Sequence, residues 1–423
     1  MLALGIDIGT SGVRTAVLDR DGNLISMAKS LHVPQPNLDI DANLWWDAVR
    51  TCLHAQAKAL ESTSWSMGHV KRIAVDGTSG TMVLTDRDLC PVGPALMYNS
   101  KGFDTEANLI AQHAPDPHIT LGSSSALARA MRLTSTAERA PAHLLHQADF
   151  IAAKLMGRGG VSDPNNSLKT GCDPETSEWP AWISEVFDPE LLPKVSPVGE
   201  VFASISRETA THHGFAPDAT VCAGTTDSIA AFLAGAPLEE GVAVTSLGST
   251  LAIKMLSAKR IDDPSTGLYS HRIRDRWLVG GASNTGGAVL LNYFTPDEID
   301  ALSALIAPDQ PTHLSYYPLL TPGERFPIND PALVPNLAPR PREDHLFLQG
   351  IFEGIAEIES QCYLAISEKN GCTPSRIFSA GGGAKNPVWT QIRARILRLP
   401  LEEMKFSEAA IGSAKIAQLN ETF

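Results

Sequence analysis

Leu2-Ala3-Leu4-Gly5-Ile6-Asp7-Ile8 is followed by Gly9-Thr10-Ser11-Gly12 and then by Val13-Arg14-Thr15-Ala16-Val17-Leu18. Two short apolar runs around a Gly/Thr/Ser turn read as a β-hairpin, and Asp21-Gly22 marks a second turn into a further strand. The strand-turn-strand signature recurs twice. Arg72 to Val75 precedes the turn Asp76-Gly77-Thr78-Ser79-Gly80 and the run Thr81 to Leu84, and Gly241 to Thr245 turns at Leu247-Gly248-Ser249-Thr250 into Leu251 to Leu256. Setting Asp7-Ile8-Gly9-Thr10-Ser11 on Ser246-Leu247-Gly248-Ser249-Thr250 lays hairpin on hairpin, half a chain apart. Such self-similarity is weighed before any fold assignment. Here it predicts two related α/β domains joined near Gly235 to Gly241, one over 1–236 and one over 237–423.

The bulk numbers agree with two domains. A chain of 423 residues, 43% of them hydrophobic, exceeds the roughly 250 to 300 residues that a single core sustains. The formal charge of -13, with no cluster of Lys and Arg, argues against a nucleic-acid partner, whose phosphates are held mainly by clustered cations. An anionic nucleotide stays open, because backbone N–H groups and a metal ion hold phosphates without net basic charge. The six cysteines show no C-x-x-C pair and no zinc-ligand spacing, which reads as free thiols in a reducing compartment. The start of the chain carries no basic leader, and no apolar run reaches about 18 residues. The expectation is a soluble cytoplasmic protein with no membrane partner, in which the N-x-[ST] tripeptides at Asn165 and Asn420 carry no glycan.

Outward from the hairpins, Trp45, Val49, Leu53 and Leu60 fall near helical spacing and predict a helix over 44–60. Trp277 to Gly281 reads as a strand, and His345 to Lys369 as a long helix closed by Asn370-Gly371. A strand Arg376 to Ser379 then enters Gly381-Gly382-Gly383-Ala384-Lys385-Asn386, and a last helix covers 408–419. The proline-rich stretch 319–344 reads as an ordered extended loop, since prolines withhold ladder donors.

Phosphoryl transfer asks little covalent chemistry of a protein. It needs donors that cradle phosphates, a divalent cation and a base for the acceptor hydroxyl. Asp7 to Arg14 supplies a carboxylate at a strand end, two glycines, two hydroxyls and a cation, although Asp and Gly are also ordinary turn formers. Gly224-Thr225-Thr226-Asp227-Ser228 places Asp227 at an N-cap position, where capping and an ionised catalytic carboxylate are compatible readings. The run Ala380 to Asn386 lacks Walker spacing, and Gly5 to Gly12 is not G-x-G-x-x-G. Three consecutive glycines after a strand suit either backbone lying flat on a planar ligand such as adenine or a flexible turn.

Taken in order, these motifs resemble the FGGY family of carbohydrate kinases, within the wider group of actin, hexokinase and the heat-shock ATPases. The matching segments are Gly5 to Asp19, Asp76 to Thr81, Gly224 to Phe232, Gly323 to Pro331 and Ser379 to Trp389, with Phe347 to Glu359 similar to the family's second signature. The resemblance implies two actin-like (ribonuclease H-like) ATPase domains with a cleft between them, using ATP and Mg2+. It implies that Asp7 is the metal and phosphate carboxylate and that Thr10, Ser11, Gly12, Val13 and Arg14 form the loop meeting the transferred phosphoryl group and the sugar. Asp227 resembles the general base for the sugar hydroxyl. Gly248, Ser249 and Thr250 match the second phosphate loop, with Gly286 and Gly287 close by, and Gly382, Gly383 and Asn386 match the adenosine site.

One departure bears on the substrate. Xylulose kinases of this family carry a Met-His pair in a G-Q-M-H-G segment where this chain has Asp76-Gly77-Thr78-Ser79-Gly80, so Ser79 replaces a sugar-contacting imidazole. That form, with Ala-Gly-Thr-Thr-Asp-Ser-Ile-Ala-Ala-Phe at 223–232, is most similar to the compact D-ribulose kinases, and D-ribulose is the expected substrate. A kinase for D-xylulose or another small polyol, and a non-enzymatic actin-like ATP switch, remain alternatives. The family's first signature is poorly kept near 124–138, where Arg129 and Arg132 stand, and it yields no site residues.

Overall fold

The computed structural model describes residues 1–32, 40–371 and 373–419. Cys372 and the tripeptide at Asn420 lie outside them. The chain separates into two compact units: Met1–Ala234 with Arg272–Arg274 and the segment from Glu408 onward, and Gly235–His271 with Asp275–Ser407.

In the first unit, strands β1 (Leu2–Ile8), β2 (Gly12–Leu18), β3 (Leu24–Leu31), β4 (Val70–Gly77), β5 (Val201–Ser204) and β6 (Thr220–Thr226) form one sheet in the order β3-β2-β1-β4-β6-β5. β1 and β2 are the antiparallel hairpin expected from sequence, while β1, β4 and β6 run parallel. Every residue of β1 is buried, as a parallel strand covered on both faces requires. Because side chains alternate along a strand, Leu2, Leu4, Ile6 and Ile8 share one face. They join Trp45, Val49, Cys52 and Leu53 of helix α1 (Asn43–Leu60) in one core. The opposite face of β1 meets the last helix, Ala409–Gln418.

That packing depends on Gly5. A Cβ there would lie 1.9 Å from the Ala410 carbonyl oxygen and 2.3 Å from the Ala414 nitrogen. Gly5→Ala therefore forces helix and sheet apart. A loss of about 1–3 kcal/mol is expected, typical of overpacking, read as a lower Tm; an unchanged Tm contradicts this packing.

The last helix also corrects the expected division of the chain. Its apolar face is spent on β1 and β4, so the segment from Glu408 groups with the first unit and not with 237–407. A second correction concerns Arg72 to Leu84. β4 is hydrogen-bonded on both sides, to β1 and β6, which leaves no free edge for the strand after the turn. Met82–Thr85 pairs instead with His143–His146 in a separate two-stranded ribbon.

In the second unit, β7 (Val242–Leu247), β8 (Leu251–Ser257), β9 (Tyr269–Ile273), β10 (Arg276–Ser283), β11 (Arg376–Ala380) and β12 (Leu401–Glu403) take the order β9-β10-β8-β7-β11-β12. The hairpin β7–β8 with parallel neighbours β11 and β12 repeats the scheme of β1–β2 with β4 and β6. The half-chain repeat is thus present as topology. Helix α2 (Asp344–Asn370) covers the sheet with Phe347, Ile351, Phe352 and Ile355 and ends at Gly371, φ +73°. Helix α3 (Pro387–Leu397) follows β11. The proline-rich stretch carries only the isolated bridges Tyr317↔Asn336 and Glu324↔Asp330, as an ordered loop should. Among the described residues no helix is long and apolar enough to cross a membrane.

Candidate active site

Strand register builds the first half of the site. Asp7 pairs with Arg14 across β1–β2 and with Asp76 across β1–β4, and Asp76 is followed across β4–β6 by Thr225. Arg14, Asp7, Asp76 and Thr225 thus form a row at the carboxyl ends of the parallel strands, where open α/β sheets bind their ligands. The Arg14 guanidinium donates through Nη1 to Asp7 Oδ2 at 3.2 Å. Asp7 is 4% exposed and Asp76 fully buried, and Ser413 of the last helix donates to Asp76 Oδ2 at 2.5 Å. Burial raises the Asp7 carboxyl. Burial, then the charges of Asp7 and Asp227, hold Asp76 well above the usual carboxylate range.

Thr10 and Ser11 are exposed at the tip of the β1–β2 turn, which the Gly9 N–H closes on the Gly12 carbonyl at 3.0 Å. Val13 is different: its side chain is 1% exposed and belongs to the α1 core, so only its main chain is left for a ligand.

Asp227 is the first residue of helix Asp227–Gly235, directly after β6. It is half-buried, and its Oδ1 accepts the Ser228 N–H at 2.6 Å. The strand end before it is fixed from behind. Asn165 donates to Thr225 Oγ1 at 3.0 Å and Asn166 to the Thr225 carbonyl at 3.1 Å. Asp163, pushed up to about 7 by burial and by Asp149, accepts the N–H groups of both asparagines and the Asn166 amide.

The turn after β4 is sewn to helix Gln147–Met156. Gln147 Oε1 accepts both the N–H and the hydroxyl of Thr78, at 3.0 and 2.8 Å, and the Gln147 N–H donates to the Thr81 carbonyl at 2.9 Å. Ser79 projects from this fixed turn, and its buried Oγ has no hydrogen-bond partner among the described residues.

In the second unit the nucleotide candidates gather at the end of β7. The Gly287 N–H donates to the Gly248 carbonyl at 2.8 Å and the Ala288 N–H to the Ser249 carbonyl at 3.1 Å. Gly286 lies so close that a Cβ would be 2.7 Å from the Ser249 carbonyl. Gly381, at φ +86°, packs on the Leu247 carbonyl, and Gly383 on the Trp389 ring. Those two glycines are demanded by the protein's own packing, whereas a Cβ on Gly382 meets nothing within 4 Å. Asn386 is occupied as the cap of α3. Its Oδ1 accepts the N–H groups of Val388 and Trp389, both at 3.0 Å, and its amide donates to Ser303 Oγ at 2.9 Å.

Sequence reasoning passed over Asp76 as a turn residue, although Ile73-Ala74-Val75-Asp76-Gly77 has the apolar-run-then-Asp form of Leu4-Gly5-Ile6-Asp7. Ser413, Asn165 and Asn166 gave no local signal, because their partners lie far away in the chain.

Two family models cover most of the sequence. Residues 2–120 match the N-terminal domain of the FGGY family of carbohydrate kinases and residues 243–420 its C-terminal domain. The chain belongs to the FGGY family of carbohydrate kinases. A Staphylococcus epidermidis protein named xylulose kinase is 23% identical over 98% of this chain and 87% of its own length. A Bacillus subtilis gluconokinase is 26% identical over 93% and 82% respectively. Among solved structures, a Brucella ovis protein described as a xyloylose kinase superposes with TM-score 0.90 at 20% identity, covering 100% of this chain and 91% of that one. The fold is the two-domain α/β architecture of these sugar kinases.

Proposed function

We propose that the protein transfers the γ-phosphoryl group of ATP to D-ribulose, giving D-ribulose 5-phosphate and ADP, with Asp227 as general base and Asp7 as the magnesium-directed carboxylate. The observation that carries this reading is the placement of two carboxylates. Asp7 and Asp227 stand at the carboxyl ends of β1 and β6, on either side of the fully buried Asp76 of β4, whose carboxyl is raised by burial first and then by both charges. Two carboxylates so placed suit one metal-directed and one proton-accepting role.

The sugar's primary hydroxyl oxygen forms the new bond to γ-phosphorus as the bond to the β–γ bridging oxygen breaks. Asp227 takes the hydroxyl proton, and the electron pair leaves on ADP. Thr10, Ser11 and the half-exposed Arg14 guanidinium supply donors for the transferred group. Magnesium, when bound, neutralises charge on the phosphates. A single carboxylate suits it, because the ion keeps several waters and binds through one or two carboxylates plus substrate phosphates. The turns of Gly248, Ser249, Thr250, Gly286 and Gly287 suit the nucleotide phosphates, and Gly382 suits the adenosine.

Ser79 supports D-ribulose, since three residues after Asp76 it carries a small buried hydroxyl with no partner among the described residues, which a sugar hydroxyl would satisfy. The names of several relatives favour D-xylulose as the second reading. Turnover on both sugars separates them: kcat/KM for D-ribulose is expected to exceed that for D-xylulose by about tenfold or more, as a site matched to one hydroxyl pattern allows. Equal values, or the reverse order, overturn the sugar assignment.

A further inference from the structure

Arg129, on helix Ala126–Ser135, is 1% exposed, and among the described residues no carboxylate pairs with it. Its donors end on main-chain carbonyls from three separate segments. Nη1 donates to Gly80 O at 2.5 Å; Nη2 donates to Tyr98 O at 2.9 Å and Ser124 O at 3.0 Å, with Ser100 O at 3.5 Å. An Nη group has two hydrogens, so the Tyr98 and Ser124 carbonyls take them and Ser100 stays at the margin. Nε, also buried, has no acceptor.

A cation buried without a counter-charge is costly, and a well-packed apolar side chain would fill the same space at less cost. What the guanidinium adds is geometry: a planar fork that fixes several carbonyls at once. The fixed segments are those bearing exposed or unpartnered polar groups. Gly80, at φ +86° and with its Cβ position 3.2 Å from Nη1, follows Ser79 directly. Tyr98 and Asn99 are exposed, and the Tyr98 N–H is tied to Thr81 Oγ1 at 3.0 Å, which links the two segments a second time.

We propose that Arg129 is a positioning residue for the sugar: it clamps the Gly80, Tyr98 and Ser124 carbonyls so that the Ser79 turn and the 98–100 segment present one fixed wall to the sugar hydroxyls. The proposal rests on the kinase reading above and extends it to residues that touch neither the phosphates nor the base. Arg129→Met removes every donor, and Arg129→Lys keeps the charge with a single point donor.

A misplacement of roughly 1 Å costs on the order of 10²-fold in such sites, so KM for the sugar should rise about 10- to 100-fold in Arg129→Met and by less in Arg129→Lys. KM for ATP should stay as in the wild type. A folded Arg129→Met protein with unchanged sugar KM, or with sugar and ATP KM rising together, overturns the clamp. Hydrogen exchange on the wild type tests it without a variant. Sugar addition should protect 79–80, 98–101 and 123–125 together, and protection absent from any one of the three overturns it. A wild type that phosphorylates no sugar refutes the kinase reading instead.

Discussion

Asp227→Asn is expected to lower kcat by about 10²- to 10⁴-fold, the usual contribution of a positioned general base. An amide cannot take the proton of the sugar hydroxyl. It can still accept the Ser228 N–H that Asp227 Oδ1 accepts now at 2.6 Å. Asn and Asp serve helix N-termini about equally, and the Thr225 segment before it is held by Asn165 and Asn166 independently. The variant should therefore fold, with KM for ATP close to wild type. Steady-state rates beside a thermal melt read both halves of the prediction. Near wild-type turnover would make Asp227 a purely structural residue.

Asp7→Asn has the second large effect and a different signature. The magnesium concentration for half-maximal rate should rise by at least about tenfold, since even outer-shell changes at metal sites cost 10- to 100-fold in affinity. The rate at saturating magnesium should fall by about 10²-fold or more, because stabilisation of transition-state charge by the ion amounts to several kcal/mol. Stability should change little. The amide is spared the burial penalty that raises the Asp7 carboxyl, but it gives up the charge that pairs with Arg14 at 3.2 Å. A magnesium titration across both proteins checks this. Unchanged magnesium dependence in Asp7→Asn would remove Asp7 from the metal role.

The parts of the fold legible in the sequence were those written locally. The β1–β2 and β7–β8 hairpins are each an apolar run, a small-residue turn and a second run, and Gly371 marks the end of α2 at positive φ. What failed depended on distant partners. The run Met82–Thr85 looks like the return strand of a hairpin, but β4 is a central strand with both edges taken. The last helix carries no sign in its own residues that it belongs on Gly5; only the 1.9 Å approach to Ala410 explains why that position lacks a side chain.

The site divides in the same way. Asp7, Arg14 and Asp227 stand in short motifs that carry the family resemblance, and Gly248, Ser249, Thr250, Gly286 and Gly287 meet at one turn cluster, as that resemblance implied. Gly383 and Asn386 sit in an equally suggestive motif, yet their immediate work is packing on Trp389 and capping α3. Asp76 shares the apolar-run-then-Asp form of Asp7, but its burial and its partner Ser413, 337 positions away, are not written locally. The contacts of Arg129 are likewise invisible in its own segment, since Gly80 lies 49 positions away.

Phosphorus NMR of the reaction mixture tests the central claim most directly. With ATP, magnesium and D-ribulose, the wild type should yield a sugar phosphate monoester on the primary hydroxyl in step with ADP, and Asp227→Asn should yield almost none over the same time. ADP appearing only with inorganic phosphate, or no sugar phosphate from D-ribulose, D-xylulose or any other small polyol, would contradict the account.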